Sequence, residues 1–211
     1  KKTFLFQSLR TVLTSKMSWL NALYAGLLYA PTATLGELWG TRFYHHVFGF
    51  STENAALIIA CIFIGWTIGG PVAGWLSDRM PNRKRIMLVS VVVSWLLLMQ
   101  VFLFPHMNML IMCICMFLYG LFNFGVAIAY AVAGELHSKL YTGLSIAFTN
   151  MLSIVIGASL QPVMGWMVDT FSMHFSDKNT YLFTMILLPF CLVLSLICLC
   201  FLRENKYKGA E

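Results

Sequence analysis

Residues 55–76 read AALIIACIFIGWTIGGPVAGWL, and residues 77–85 read SDRMPNRKR. The first stretch carries no charged residue, and a transmembrane helix needs about 20 mostly apolar residues, so 55–76 spans a membrane as one helix. Its end is marked by an abrupt change of solvent: Asp78 and Arg79, then Arg83, Lys84 and Arg85. A backbone crossing lipid must satisfy its own hydrogen bonds, which excludes open strands of this length.

Five further segments have the same character: 17–48, 86–104, 109–134, 140–168 and 181–202. The segment 17–48 is the most polar and is interrupted by Pro31 and Gly36. Composition agrees, since the chain is 59% hydrophobic and 10% charged, whereas soluble domains are about 45–50% apolar and about 25% charged. A soluble fold would lack the charged residues for a polar shell. The expected fold class is therefore an all-α integral membrane bundle of six transmembrane helices over 17–202.

Cytoplasmic loops are enriched in Lys and Arg, and one orientation gathers nearly all of them on one side. Lys1, Lys2, Arg10 and Lys16 precede the first helix, Arg79, Arg83, Lys84 and Arg85 follow the second, Lys139 follows the fourth, and Arg203, Lys206 and Lys208 end the chain. Only Arg42 and Lys178 fall on the opposite side. Both termini are expected in the cytoplasm, and the localisation expected is multi-pass in a bacterial inner (plasma) membrane. The net charge of +6 follows this topology and forms no face for nucleic acid. Residues 1–16 carry Phe4, Leu5, Leu9, Val12 and Leu13 at helical spacing. They read as an interfacial helix, the end of a cytoplasmic linker, or a solvated tail. Residues 203–211 form a cytoplasmic tail. The chain opens on Lys1-Lys2-Thr3 without an initiator Met or signal peptide and reads as a fragment or processed piece.

Cys61, Cys113, Cys115, Cys191, Cys198 and Cys200 all lie inside apolar runs and read as small hydrophobes. His45, His46, His106, His137 and His174 show no metal-ligand spacing. The sequence holds no P-loop, no GxSxG and no paired intramembrane carboxylates. No metal, no cofactor and no enzymatic activity are expected.

The run Gly74-x-Leu76-x-Asp78-Arg79 with its basic cluster resembles the loop signature of the major facilitator superfamily, with Pro81 and Asn82 where Gly and Arg usually stand. Gly74 permits close helix approach, Asp78 can cap a neighbouring helix, and the cations Arg79, Arg83 and Lys84 hold the loop at an anionic leaflet. Glu135 and Gly143 resemble the family's connection between the fourth and fifth helices, although Ser138 and Thr142 replace its Pro and Arg. Asn150 through Gln161-Pro162 to Asp169 resembles its Gly/Pro-rich fifth helix. Leu38-Trp39-Gly40, with Gly49-Phe50-Ser51 and Ala55-Ala56, resembles the end of the first helix of a C-terminal half. The resemblance implies a C-terminal half of a twelve-helix transporter, built of two inverted three-helix repeats.

It further implies a solute cavity lined by the first, second, fourth and fifth helices. Candidates on these helices are Asn21, Tyr24, Tyr29, Thr32, Trp66, Thr67, Tyr119, Asn123, Tyr130, Asn150, Ser153 and Gln161. Asn123 and Asn150 lead because each stands near a helix centre. The alternative is that these groups join helices through hydrogen bonds. Glu37 is the one carboxylate clearly at membrane depth, suited to a proton, a cation or a basic solute, or alternatively to an interfacial pair with Arg42. Glycines such as Gly65, Gly69, Gly120 and Gly157 suit tight helix contacts, whether sliding or static.

The expected function is half of a secondary transporter, a symporter using H+ or Na+, that moves a small organic solute by alternating access. Its partners would be the lipid bilayer, the solute, and the other six-helix half or a homodimer mate. The alternative is a membrane-embedded structural or assembly subunit without transport. The charge asymmetry is directly testable in the natural protein: green fluorescent protein fused at the C terminus is expected to fluoresce, and alkaline phosphatase fused there to be inactive. The reverse pattern would place that terminus outside.

Overall fold

The computed structural model describes residues 2–80, 82–104 and 107–203, with side chains from Ser8 onward. Lys1, Pro81, His106 and the tail residues Lys206 and Lys208 lie outside the described residues. The chain is helical throughout, with no strand among the described residues. A short amphipathic helix, α1 (Lys2–Thr14), leads into a long helical run of α2 (Lys16–Ala33), a π-helical segment (Thr34–Trp39) and α3 (Gly40–Phe48). There follow α4 (Thr52–Arg79), α5 (Arg83–Leu103), α6 (Met109–Phe122), α7 (Gly125–Glu135), α8 (Thr142–Ser172), α9 (Asp177–Met185) and α10 (Leu187–Phe201).

Local sequence explains four of the starts and one of the stops. Ser15, Ser51, Asn82 and Asn108 each cap a helix by accepting from a backbone N–H three residues on, at 3.3, 3.3, 2.9 and 2.9 Å. Such caps satisfy one of the orphan donors every helix start leaves open. Gly49 closes α3 at φ 71°, a left-handed position that favours glycine.

Among the described residues, five helical runs are long and apolar enough to cross a membrane: Thr52–Arg79, Arg83–Leu103, Met109–Glu135, Lys139–Ser172 and Asp177–Phe201. The run Lys16–Phe48 is too polar to join that class, and its place in the bundle explains why. Helix α2 is enclosed by α8, α10 and α7, so Asn21, Tyr24, Thr32 and Thr34 are buried against protein rather than lipid. Polar groups at membrane depth are tolerated where other helices meet them. Pro31 does not end this helix. The run widens three residues later into the π segment, where the Gly40 N–H reaches back to the Leu35 carbonyl and Thr34 Oγ1 donates to the Ala30 carbonyl at 2.8 Å.

The packing has an internal symmetry. Counting six crossings, with α2–α3 first and α6–α7 fourth, the closest pairs are second with fourth (α4 on α6) and first with fifth (α2 on α8). The sixth packs on the first (α10 on α2) and the third on the fourth (α5 on α6). Exchanging the first three crossings with the last three converts each pair into the other, the pattern of inverted three-helix repeats.

Glycines set the closest of these contacts. A Cβ on Gly65 would overlap the Phe117 carbonyl, one on Gly120 the Ile62 carbonyl, and one on Gly69 would stand 2.5 Å from the Leu121 carbonyl oxygen. On α2 and α8, Gly26 faces Ile156 and the Ser153 backbone, and Gly157 faces Ala33 and Tyr29. In lipid, association rests on such close packing. Gly74 has open space around its Cβ position, so the close approach expected of it is not made among the described residues.

The fourth crossing, continuous on sequence grounds, is broken between α6 and α7. Ser90 clasps the break: its hydroxyl donates to the Phe122 carbonyl at 2.7 Å and accepts from the Gly125 N–H at 2.9 Å. Forcing a side chain into a packed contact costs about 1–3 kcal/mol. Gly65→Val is therefore expected to lower the melting temperature of the detergent-solubilised protein by several degrees, and Gly74→Ala to leave it unchanged. Equal melting temperatures for both variants would contradict the packing described.

Candidate functional site

The cavity candidates divide by where their side chains point. Asn21, Tyr24, Thr32, Tyr119, Asn123 and Ser153 are at most 1% exposed. Each is engaged inside the bundle. The Asn21 amide donates to the Ala129 carbonyl at 2.9 Å, Tyr24 OH to the Met87 carbonyl at 2.9 Å, and the Asn123 amide to the Leu28 carbonyl at 3.3 Å. Thr32 and Tyr119 share a hydroxyl hydrogen bond at 3.0 Å, and Ser153 Oγ donates to the Thr149 carbonyl at 2.9 Å. Five of the six thus join helices, while the Ser153 bond closes within α8. Asn123, one of the expected leading pair, caps the end of α6 at the break and faces the central helix.

The remaining candidates are exposed or half-buried and fall into two contact groups, with Thr67 apart from both. Tyr29 on α2 stacks on Trp66 of α4 with ring centroids 5.7 Å apart, and packs over Gly157 of α8. Tyr29 OH donates to Glu37 Oε1 at 3.1 Å, and Gln161 Nε2 on α8 donates to Glu37 Oε2 at 2.8 Å. Tyr130 on α7 donates to Asn150 Oδ1 at 3.0 Å. Along α8, residues 150, 157 and 161 are spaced seven and four apart and so share one stripe. Glu37, Thr67 and Asn150 are exposed, while Tyr29, Trp66, Tyr130 and Gln161 are half-buried. Thr67 returns its hydroxyl to the Phe63 carbonyl at 2.8 Å.

Glu37 does not pair with Arg42, whose guanidinium lies over the Trp39 ring at 5.6 Å. The π segment accounts for this. With a wider turn between Thr34 and Trp39, Leu35 and Trp39 are buried while Glu37 projects outward to meet α2 and α8. Such widened turns are frequent at functional sites. Gly36 leaves room for the Phe63 ring beside it.

A second cluster joins the ends of several helices. Arg83, at the start of α5, forms an ion pair with Glu135, at the end of α7, at 2.7 Å. Lys84 Nζ donates to the Cys200 and Leu202 carbonyls at 3.0 and 2.7 Å, capping the end of α10 where the helix dipole favours a cation. Ser18 Oγ and His137 Nε2 lie 2.8 Å apart, and burial pushes the His137 pKa below its ordinary value. Asp78 is exposed and makes no hydrogen bond or ion pair among the described residues, so it caps no helix here. Arg79 stacks over Trp75 at 4.3 Å.

Sequence reading missed Ser90, Ser18–His137 and the Arg83–Glu135 pair. A small polar residue in an otherwise β-branched apolar run, as in Val89-Ser90-Val91, was the available signal for the first. The other two join residues more than fifty positions apart, and no local pattern encodes them.

Comparison with known proteins follows the same lines. The sequence profile of the Major Facilitator Superfamily matches residues 1–153. Membrane sensor protein UhpC of Salmonella typhimurium is 28% identical over 158 residues, covering 74% of this chain and 35% of that protein. The protein of the same name from Escherichia coli K12 is 27% identical over 158 residues with the same coverage. The crystal structure of a bacterial homolog to the human lysosomal transporter Spinster, inward-facing and unoccupied, superposes with a TM-score of 0.70 at 15% identity. That match covers 92% of this chain and 49% of the other, so the chain spans about half the solved structure's chain and about a third of the sensor proteins. A bundle of inverted repeats, a polar face across four helices and a basic loop after the second crossing agree with these matches: the chain is an integral, multi-pass membrane protein that belongs to the major facilitator superfamily, a family of transport proteins and not of enzymes.

Proposed function

We propose that the chain is the C-terminal six-helix half of a secondary transporter, and that its polar face is this half's share of a solute cavity. The observation that carries this reading is a set of exposed and half-buried side chains on α2, the π segment, α4, α7 and α8: Trp66, Tyr29, Glu37 and Gln161 joined in one chain of contacts, and Tyr130 joined to Asn150, which shares a stripe of α8 with Gln161. A face of this kind is costly against lipid and is retained where it lines water or a solute. The cavity would close against the other six-helix half, and the two halves would rock about it. The solute is a small organic molecule, and its movement is coupled to H+ or Na+ in symport with Glu37 as the coupling group. Gly74, Asp78 and Arg79, exposed at the end of α4, would face the partner half in the cytoplasm, with both termini on that side of a bacterial inner membrane.

A second reading draws on the sensor proteins among the relatives. There, the same face would bind a solute whose occupancy is signalled rather than transported.

Uptake by the full-length protein, measured over amino acids, carboxylates, sugars and nucleosides, tests the first reading. For a solute that is taken up, Asn150→Ala and Gln161→Ala are expected to cut uptake about ten-fold, equivalent to about 1.4 kcal/mol, at unchanged melting temperature. Asn123→Ala is expected to lower the melting temperature instead, because it releases a buried carbonyl. Glu37→Gln is expected to abolish the pH dependence of uptake. Normal uptake in both Asn150→Ala and Gln161→Ala would overturn the cavity assignment, and saturable binding without uptake would favour the sensor.

A further inference from the structure

The charge around the polar face restricts what it can bind. Glu37 receives one hydrogen bond on each carboxylate oxygen, from Tyr29 and from Gln161. Both donors are neutral, so they orient the carboxylate without cancelling its charge. A carboxylate has about four acceptor positions, and two remain open toward the exposed side. Beside it stands the Tyr29–Trp66 stack, whose half-exposed rings present electron-rich faces of the kind that attract cations.

Among the described residues no Lys or Arg pairs with this carboxylate. Between Lys16 and Arg42, between Arg42 and Arg79, and between Lys139 and Lys178, the sequence contains no Lys or Arg. These intervals cover α4 up to its last residue, the whole of α8, and the central helix across the membrane. Arg42, the nearest in sequence, is turned onto Trp39. His45, which points to the Phe50 carbonyl at 2.8 Å, and His46, which stacks on Tyr181, lie a turn or more beyond it. An anionic solute would therefore find no countercharge on this half, and burying an unpaired charge is strongly unfavourable. A positively charged one would find a carboxylate, an amide and the aromatic surface of the stacked pair together.

We infer that the solute class is an organic cation, an amine or quaternary ammonium compound, whose charged group seats between Glu37 and the Tyr29–Trp66 pair. This inference rests on the reading of the polar face as a solute site. It adds that the site selects for charge, and that Glu37 contacts the solute itself.

The test uses the purified full-length protein and matched probes that differ in charge alone. Choline is compared with its neutral carbon isostere 3,3-dimethylbutan-1-ol, and benzylamine with benzyl alcohol and benzoate, by thermal shift and by quenching of tryptophan fluorescence. The expected result is that each cation binds at least about ten-fold more tightly than its neutral partner and that benzoate does not bind. Glu37→Gln should erase that preference and Glu37→Asp should keep most of it. Trp66→Leu should weaken benzylamine and benzyl alcohol together. Benzoate binding as well as benzylamine, cation binding unchanged in Glu37→Gln, or no cation binding at all would overturn the inference. If neutral or anionic solutes bind, lose affinity in Gln161→Ala or Trp66→Leu, and ignore Glu37→Gln, the polar face remains a solute site and only its charge selectivity falls.

Discussion

A polar helix can stand at membrane depth only if other helices cover it, and the run from Lys16 to Phe48 is organised around that constraint. Asn21, Tyr24, Thr32 and Thr34 are each met by a carbonyl or a hydroxyl, from α6, α5 and α7 or from the run's own preceding turn. Ser195 on α10 adds a further tie, donating to the Tyr24 carbonyl at 2.9 Å. The central helix is thereby the least suited to lipid and the best enclosed. Its neighbours carry the apolar exterior, with side chains such as Phe190, Val193 and Ile197 exposed on α10.

Enclosure at this distance requires small residues. The glycine contacts of α4 with α6 and of α2 with α8 occupy corresponding positions in the two inverted repeats, so one device is used twice. Each brings a helix of one repeat against a helix of the other. These cross-repeat pairs tie the six crossings into one body, which suits a domain that moves as a unit against a partner. At one end of that body, Arg83–Glu135 and Lys84 with the carbonyls ending α10 fasten the third, fourth and sixth crossings together.

Much of this architecture was legible in the sequence because a bilayer imposes length and hydropathy on every crossing. The apolar run at 55–76 and its basic exit are unambiguous on those grounds. What remained hidden depends on rotation about helix axes. Nothing in the composition around Asn123 tells that its amide turns inward to Leu28, while Asn150, equally central on its own helix, turns outward to Tyr130. The π segment was hidden for a related reason. Pro31 and Gly36 signal an irregularity, but a break, a kink and a widened turn share that signature, and only the last frees Glu37 from Arg42. Gly74 shows the converse case, a family-like glycine whose Cβ position meets no neighbour among the described residues.

The exposed polar face and the exposed apolar faces are distinct surfaces of one bundle, and the functional account depends on water reaching the first and not the second. Labelling by a membrane-impermeant thiosulfonate, in full-length protein stripped of native cysteines, measures this directly. Single cysteines at positions 150 and 161 are expected to react readily, and single cysteines at 193 and 197 to remain unlabelled. Labelling at 193 and 197 with protection at 150 and 161 would contradict the account.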